Sequence, residues 1–166
     1  MGDSQPGKAR RHYTSFQDSN GDIQMDDLST TTTARPVTDQ YGNVFWENAK
    51  GQLHRDDDLP AIERLNGSKW WYRNGVLHRD NDRPAIEYIS GDREWYRNGQ
   101  WHRDGDQPAI VWTDGSKWWY RDGKLHRDGD LPAAERSDGT KTWWKNGKVH
   151  RDGGLPAIVE GAERKE

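Results

Sequence analysis

The sequence predicts an all-β protein: an elongated antiparallel meander, an open β-repeat array of five 24-residue units. Three observations predict it. Histidines 54, 78, 102, 126 and 150 stand 24 residues apart, each in a copy of one phrase, clearest in Trp118 to Ala133. Such a period marks a tandem array whose small units bury their apolar faces only by stacking. Each unit also carries Asn-Gly or Asp-Gly (Asn74-Gly75, Asn98-Gly99, Asp122-Gly123, Asn146-Gly147) between short aromatic and β-branched segments. These dipeptides tolerate the positive φ of a tight two-residue hairpin, and the flanking residues suit strands. Finally, ten tryptophans and six tyrosines stand in a chain that is 32% charged and has two phenylalanines. Large rings let few residues supply a core, so a thin sheet with aromatic ladders is expected.

The elements follow along the chain. Residues 1–40 are polar, with a basic patch (Lys8, Arg10, Arg11, His12), an acidic stretch to Asp27, and a Ser/Thr run before Arg35-Pro36. They read as a leader with too little apolar surface to fold alone. Tyr13, Phe16, Ile23 and Met25 are its candidate anchors, and it is the candidate segment for joining copies into a homo-oligomer. Residues 41–161 form the repeat domain; its first copy is degenerate, and its last gives way to a charged tail, 162–166, as end units of an array require.

Within a unit, pairing outward from Asn74-Gly75 sets Arg73 against Val76, Tyr72 against Leu77 and Trp71 against His78. A second turn at Asn66-Gly67 is expected to set Glu63 against Trp70 and Ile62 against Trp71. Strand alternation then places Ile62, Trp71 and His78 on an enclosed face. Glu63, Trp70, Arg79, Tyr72 and Leu77 fall on a wetter one. Pro60, Pro84, Pro108, Pro132 and Pro156 mark bends, because proline has no amide to donate to a ladder.

Composition excludes several functions. With no cysteine there is no disulfide, zinc–thiolate site or thiol nucleophile. A net charge of −3 gives no drive toward nucleic acid or anionic membrane. No apolar run is long enough for a membrane span, and none resembles a signal peptide, so cytoplasmic residence is expected, in a host or a producing cell. One histidine per unit is too far from the next to share an ion, and packing against a facing tryptophan is the expected role. The Asp56/Asp58, Asp80/Asp82, Asp104/Asp106 and Asp128/Asp130 pairs lack the further carboxylates of a calcium loop and have arginine neighbours for bidentate pairing. No catalytic motif is present, and a near-uniform array offers no singular site; no catalytic residue, metal or cofactor is expected.

The run Trp119-Tyr120-Arg121-Asp122-Gly123-Lys124-Leu125-His126, followed by Asp138-Gly139, resembles the MORN repeat over residues 44–161. It departs from that family in a period one residue longer and in Arg-Asp-Gly-Asp-Leu-Pro-Ala after the histidine. The resemblance implies a grooved hairpin meander used for protein contacts. It also suggests an inhibitor, an immunity protein or a phage- or virus-encoded host-interaction protein. The expected partner is another protein, met by Trp70, Trp71, Trp95, Trp118 and Trp119 with the row Arg73, Arg97 and Arg121. A structural assembly protein of a virion or scaffold, and a carbohydrate- or lipid-headgroup-binding module, are the alternative readings.

Overall fold

A computed structural model describes residues 13–17, 23–27 and 34–161. It forms two compact units, Met1–Thr33 and Ala34–Glu166. In the first, Tyr13–Gln17 pairs antiparallel with Ile23–Asp27, Tyr13 opposite Asp27 and Gln17 opposite Ile23. An antiparallel strand pair thus stands in the segment read as a leader with too little apolar surface to fold alone. The basic patch at 8–12, the proposed anchoring and oligomer-forming role of the leader, and the tail at 162–166 lie outside the described residues or side chains.

The second unit is an all-β repeat array whose described residues include one short 3-10 turn, Asp152–Gly154, and otherwise strands and turns. An eleven-stranded antiparallel sheet runs its length in chain order. Its strands are Arg35–Thr38 and Val44–Glu47, then two per repeat: Ile62–Glu63 with Lys69–Trp70, Ile86–Glu87 with Arg93–Glu94, Ile110–Val111 with Lys117–Trp118, Ala134–Glu135 with Lys141–Thr142, and finally Ile158–Val159. Strand spacing of about 4.8 Å makes such a sheet roughly 50 Å wide. Beside it lie four separate hairpins, Tyr72–Arg73/Val76–Leu77, Tyr96–Arg97/Gln100–Trp101, Tyr120–Arg121/Lys124–Leu125 and Trp144–Lys145/Lys148–Val149.

The sheet begins earlier than expected. Arg35–Thr38, assigned to the leader from its polar and proline-containing composition, is the first edge strand, and Pro36 faces Trp46. An edge strand tolerates a missing amide on its outer side.

The Asn-Gly hairpins fold as predicted. Arg73 faces Val76 and Tyr72 faces Leu77, with φ of 49° at Asn74 and 81° at Gly75. The amide of His78 donates to the carbonyl of Trp71 (3.1 Å). The second turn differs by one residue: Glu63 faces Lys69 and Ile62 faces Trp70. Gly67 has φ of 90° while Asn66 is not left-handed, and the amides of Gly67 and Arg64 close on Arg64 and Ser68 carbonyls (2.8 and 2.9 Å). This is a type I turn followed by a left-handed glycine, which adds one residue to the loop. A one-residue shift moves a strand's side chains to the opposite face. Trp70, not Trp71, therefore shares a face with Ile62.

One face of the long sheet carries Ile62, Trp70, Ile86, Glu94, Ile110, Trp118, Ala134 and Thr142 in successive cross-strand pairs. The other reads Glu63, Lys69, Glu87, Arg93, Val111, Lys117, Glu135, Lys141, so opposite charges meet across most strands. The chain leaves the sheet at the tryptophan after each second strand. Trp71, Trp95, Trp119 and Trp143 each donate their amide to Ala85, Ala109, Ala133 and Ala157 of the next bend (all 2.8 Å). Ala61, Ala85, Ala109 and Ala133 have no exposed surface and, with the isoleucines and these indoles, make the thin core.

A third turn, unforeseen as such, follows each histidine. Its two central residues are left-handed: Asp57 and Asp58 (59° and 56°), Asn81 and Asp82, Gly105 and Asp106, Gly129 and Asp130. Asp and Asn accept this region better than other residues with a Cβ, which explains an acidic loop without a metal requirement.

Candidate functional site

The residues that recur in every repeat satisfy one another. Asp58, Asp82, Asp106 and Asp130 use their carbonyls to accept the indole N–H of Trp71, Trp95, Trp119 and Trp143 (2.8, 3.0, 3.1 and 3.0 Å). Their carboxylates accept the guanidinium one repeat onward. Arg79 grips Asp58 with two bonds of 2.9 Å, Arg103 grips Asp82 (2.8 and 2.9 Å), and Arg127 grips Asp106 (2.8 and 3.0 Å). Each guanidinium also stacks on its own repeat's indole, 3.7 Å from the ring centre for Arg79 over Trp71 and 3.9 Å for Arg103 over Trp95 and Arg127 over Trp119. The expected arginine partners of the aspartates are thus present, but they come from the next repeat.

The histidines staple the repeats. Nδ1 of His54, His78 and His126 accepts the amide of Asn74, Asn98 and Asn146 from the following hairpin (3.2 Å each). With Nδ1 accepting, Nε2 carries the proton and donates to Asp56, Asp80 and Asp128 (3.0, 2.8 and 2.9 Å). At His102 the following turn has an aspartate: the Asp122 amide reaches Nδ1 at 3.1 Å, and Arg97 Nη2 lies 3.1 Å away. A second ladder runs through the other loops. Oγ of Ser68 and Ser116 accepts the amides of Ile89 and Ser137 (3.0 and 2.9 Å), and Asp92 Oδ1 accepts that of Thr113 (2.7 Å). Sequence reasoning missed this ladder; small polar residues at period 24 were its signal.

These contacts set the carboxylate chemistry. The Arg79 guanidinium beside Asp58, and Arg103 beside Asp82, hold those carboxyls below the usual range. The His78 and His102 rings do the same for Asp80 and Asp104, helped by Arg73 and Arg97. Shallow cavities of about 170, 430, 290 and 80 Å³ lie between successive loops of this side, walled by the same histidine, arginine and aspartate side chains.

The surface expected to meet a partner is divided by this geometry. Trp71, Trp95 and Trp119 are 6%, 8% and 7% exposed, so they are core under an arginine lid rather than partner-facing rings. Their burial agrees with the enclosed position expected for Trp71, and it arises where the chain crosses out of the sheet, with each indole bonded to an aspartate carbonyl. Arg73, Arg97 and Arg121 form the projected row, about half exposed, but each pairs with the aspartate of its own repeat (Asp80, Asp104, Asp128). Trp70 and Trp118 stand apart from that row, partly exposed on the isoleucine face of the long sheet.

Around Trp70 and Trp118 the repeats cease to be copies. In three repeats the residue after the first strand packs on the last residue of the second. The guanidinium of Arg64 lies 4.3 Å over Trp70, the Tyr88 hydroxyl donates to Glu94 (3.0 Å), and Trp112 and Trp118 are 4.5 Å apart. Hairpin side chains reach the same face, since Tyr96 Oη and Trp101 Nε1 both donate to Glu94 (2.9 and 2.8 Å). Trp101 also lies 5.1 Å from Tyr120 of the next hairpin. Trp112 is 45% exposed and its neighbours are partly so, which leaves an uneven aromatic strip open. Burial first, then Glu94, pushes the Tyr88 hydroxyl up to about 12 and raises Tyr96 as well, keeping both as donors.

No protein-family model matches the chain, and no curated protein matches it. Among the described residues, no group of three or more His, Cys, Asp or Glu is placed to hold a metal ion, and no helix is long and apolar enough to cross a membrane.

Proposed function

We propose that this chain is a non-enzymatic, MORN-like repeat module that binds another protein along the isoleucine face of its long sheet. One observation carries the reading. The tryptophan, histidine, arginine and aspartate that every full repeat shares are spent on inter-repeat contacts. Two of the columns that differ, 64/88/112/136 and 70/94/118/142, lie together on a partly exposed aromatic face. A repeat array needs its constant residues to stack and is free to vary those that meet a partner. Partly exposed aromatic and arginine side chains are the types enriched at protein interfaces. Trp70 and Trp118 keep their proposed role, joined by Tyr88, Trp101 and Trp112. Arg73, Arg97 and Arg121 form a second, charged row on the side of the aspartate loops.

The finer reading, an inhibitor, immunity or virus-encoded host-interaction protein acting in the cytoplasm, rests on the MORN-like resemblance. Affinity capture from the source organism with three forms of the chain tests the proposal. Wild type and Arg97→Ala are expected to retain a partner that Trp112→Ala/Trp118→Ala loses. A partner lost only with Arg97→Ala would place binding on the aspartate-loop side and overturn the assignment.

A further inference from the structure

Three of the positions at which the third repeat differs from the others converge on one spot. Tyr88 stands where other repeats have Arg64, Trp112 and Arg136. Glu94 stands where they have Trp70, Trp118 and Thr142, and Trp101 where they have Leu77, Leu125 and Val149. Tyr88 Oη holds Glu94 Oε1 at 3.0 Å, while Tyr96 Oη and Trp101 Nε1 hold Oε2 at 2.9 and 2.8 Å. A carboxylate offers about four lone-pair sites, and these three donors leave one, on Oε1. Glu63, Glu87 and Glu135, on the opposite face, each meet an arginine of the preceding repeat (3.0, 3.1 and 3.5 Å). Glu94 makes no ion pair among the described residues. It is a fixed negative charge on the floor of an aromatic strip, with Tyr96 and Trp101 5.5 Å apart beside it and all four residues partly exposed.

We propose that Glu94, Tyr88, Tyr96 and Trp101 form a cation-accepting cradle that takes one lysine or arginine side chain of the partner protein. The inference rests on the protein-binding reading and names the chemistry of its central contact. The arriving ammonium or guanidinium meets the free lone pair of Glu94. Its alkyl stem lies along the rings, whose faces attract cations. The sheet itself does not need the carboxylate: a tryptophan or threonine fills the same register position in the other repeats.

NMR titration of the full chain with N-acetyl-Gly-Lys-Gly-amide, following the Trp101 indole N–H, tests the cradle. Its counterpart with norleucine in place of lysine serves as the uncharged control. The lysine peptide is expected to give a saturable shift that weakens with added salt, and the norleucine peptide none. Glu94→Gln, which keeps an acceptor but removes the charge, should weaken binding about tenfold or more. Trp101→Leu, the residue of positions 77 and 125, should do likewise in a repeat whose packing has precedent in this chain. Equal shifts from both peptides, or binding unchanged in Glu94→Gln and Trp101→Leu, would overturn the proposal. Should either result appear while Trp112→Ala/Trp118→Ala still loses a captured protein, the cradle fails and the protein-binding face stands.

Discussion

Arg103→Lys isolates the contact that joins one repeat to the next. Arg103 makes two bonds to Asp82 (2.8 and 2.9 Å), stacks on Trp95, and donates to the Pro108 carbonyl (3.4 Å). Unlike Arg79 and Arg127, it has no glutamate behind it, because position 111 is valine. Charge-assisted bonds contribute about 1.5–3 kcal/mol and a desolvated guanidinium–indole stack about 1–2 kcal/mol. The Asp82 side chain is 56% exposed, so solvent screening puts the pair near the low end. Lysine keeps the charge but loses the planar fork and the stack. A loss of about 2 kcal/mol is expected, or roughly 5–10 °C in Tm for a unit of this size. Thermal and urea unfolding followed by tryptophan fluorescence measures it. A double-mutant cycle with Asp82→Asn should return a coupling of about 1 kcal/mol. Arg103→Lys at wild-type stability, or zero coupling, would refute the clamp.

Three further outcomes follow from the same contacts. His126→Ala removes the acceptor of the Asn146 amide and the donor to Asp128, and should cost about 2–3 kcal/mol by urea denaturation. Asn81→Gly and Asp57→Gly place at left-handed positions the glycine already used at 105 and 129; each should gain up to about 1 kcal/mol, read as a raised Tm. The carboxyls of Asp58, Asp80, Asp82 and Asp104 sit below their ordinary value of 3.8 in the fold. Their stabilisation is therefore fully present above that value and lost as pH falls through the lower folded values. Acid unfolding monitored by fluorescence should steepen below about pH 4, and Asp82→Asn should blunt it.

How much of this was legible depends on the range of the interaction. The hairpins at Asn74-Gly75 and its copies could be read because a two-residue turn fixes register locally. The loop at Asn66-Gly67 could not, since the same dipeptide serves a type I turn with a trailing glycine; the choice rests on φ at Asn66. The extra loop residue sets Trp70, not Trp71, opposite Ile62, so the enclosed position expected for Trp71 is reached where the chain leaves the sheet and not by pairing with Ile62. The leader boundary was misplaced because Arg35-Pro36-Val37-Thr38 has a linker's composition and becomes a strand only against Phe45 and Trp46. The arginine–aspartate grip spans 21 residues and the histidine staple 20, distances that acquire meaning only once the repeats are stacked. Periodicity hides Glu94, because its significance lies in a departure from the repeat.

Constant residues bind the array together, and variable ones face outward. Hydrogen exchange of the ten indole N–H groups by NMR reads that division directly. The N–H groups of Trp71, Trp95, Trp119 and Trp143, each bonded to an aspartate carbonyl, should be strongly protected, and that of the exposed Trp112 should exchange fast. Indoles 71, 95, 119 and 143 exchanging as quickly as 112 would contradict it.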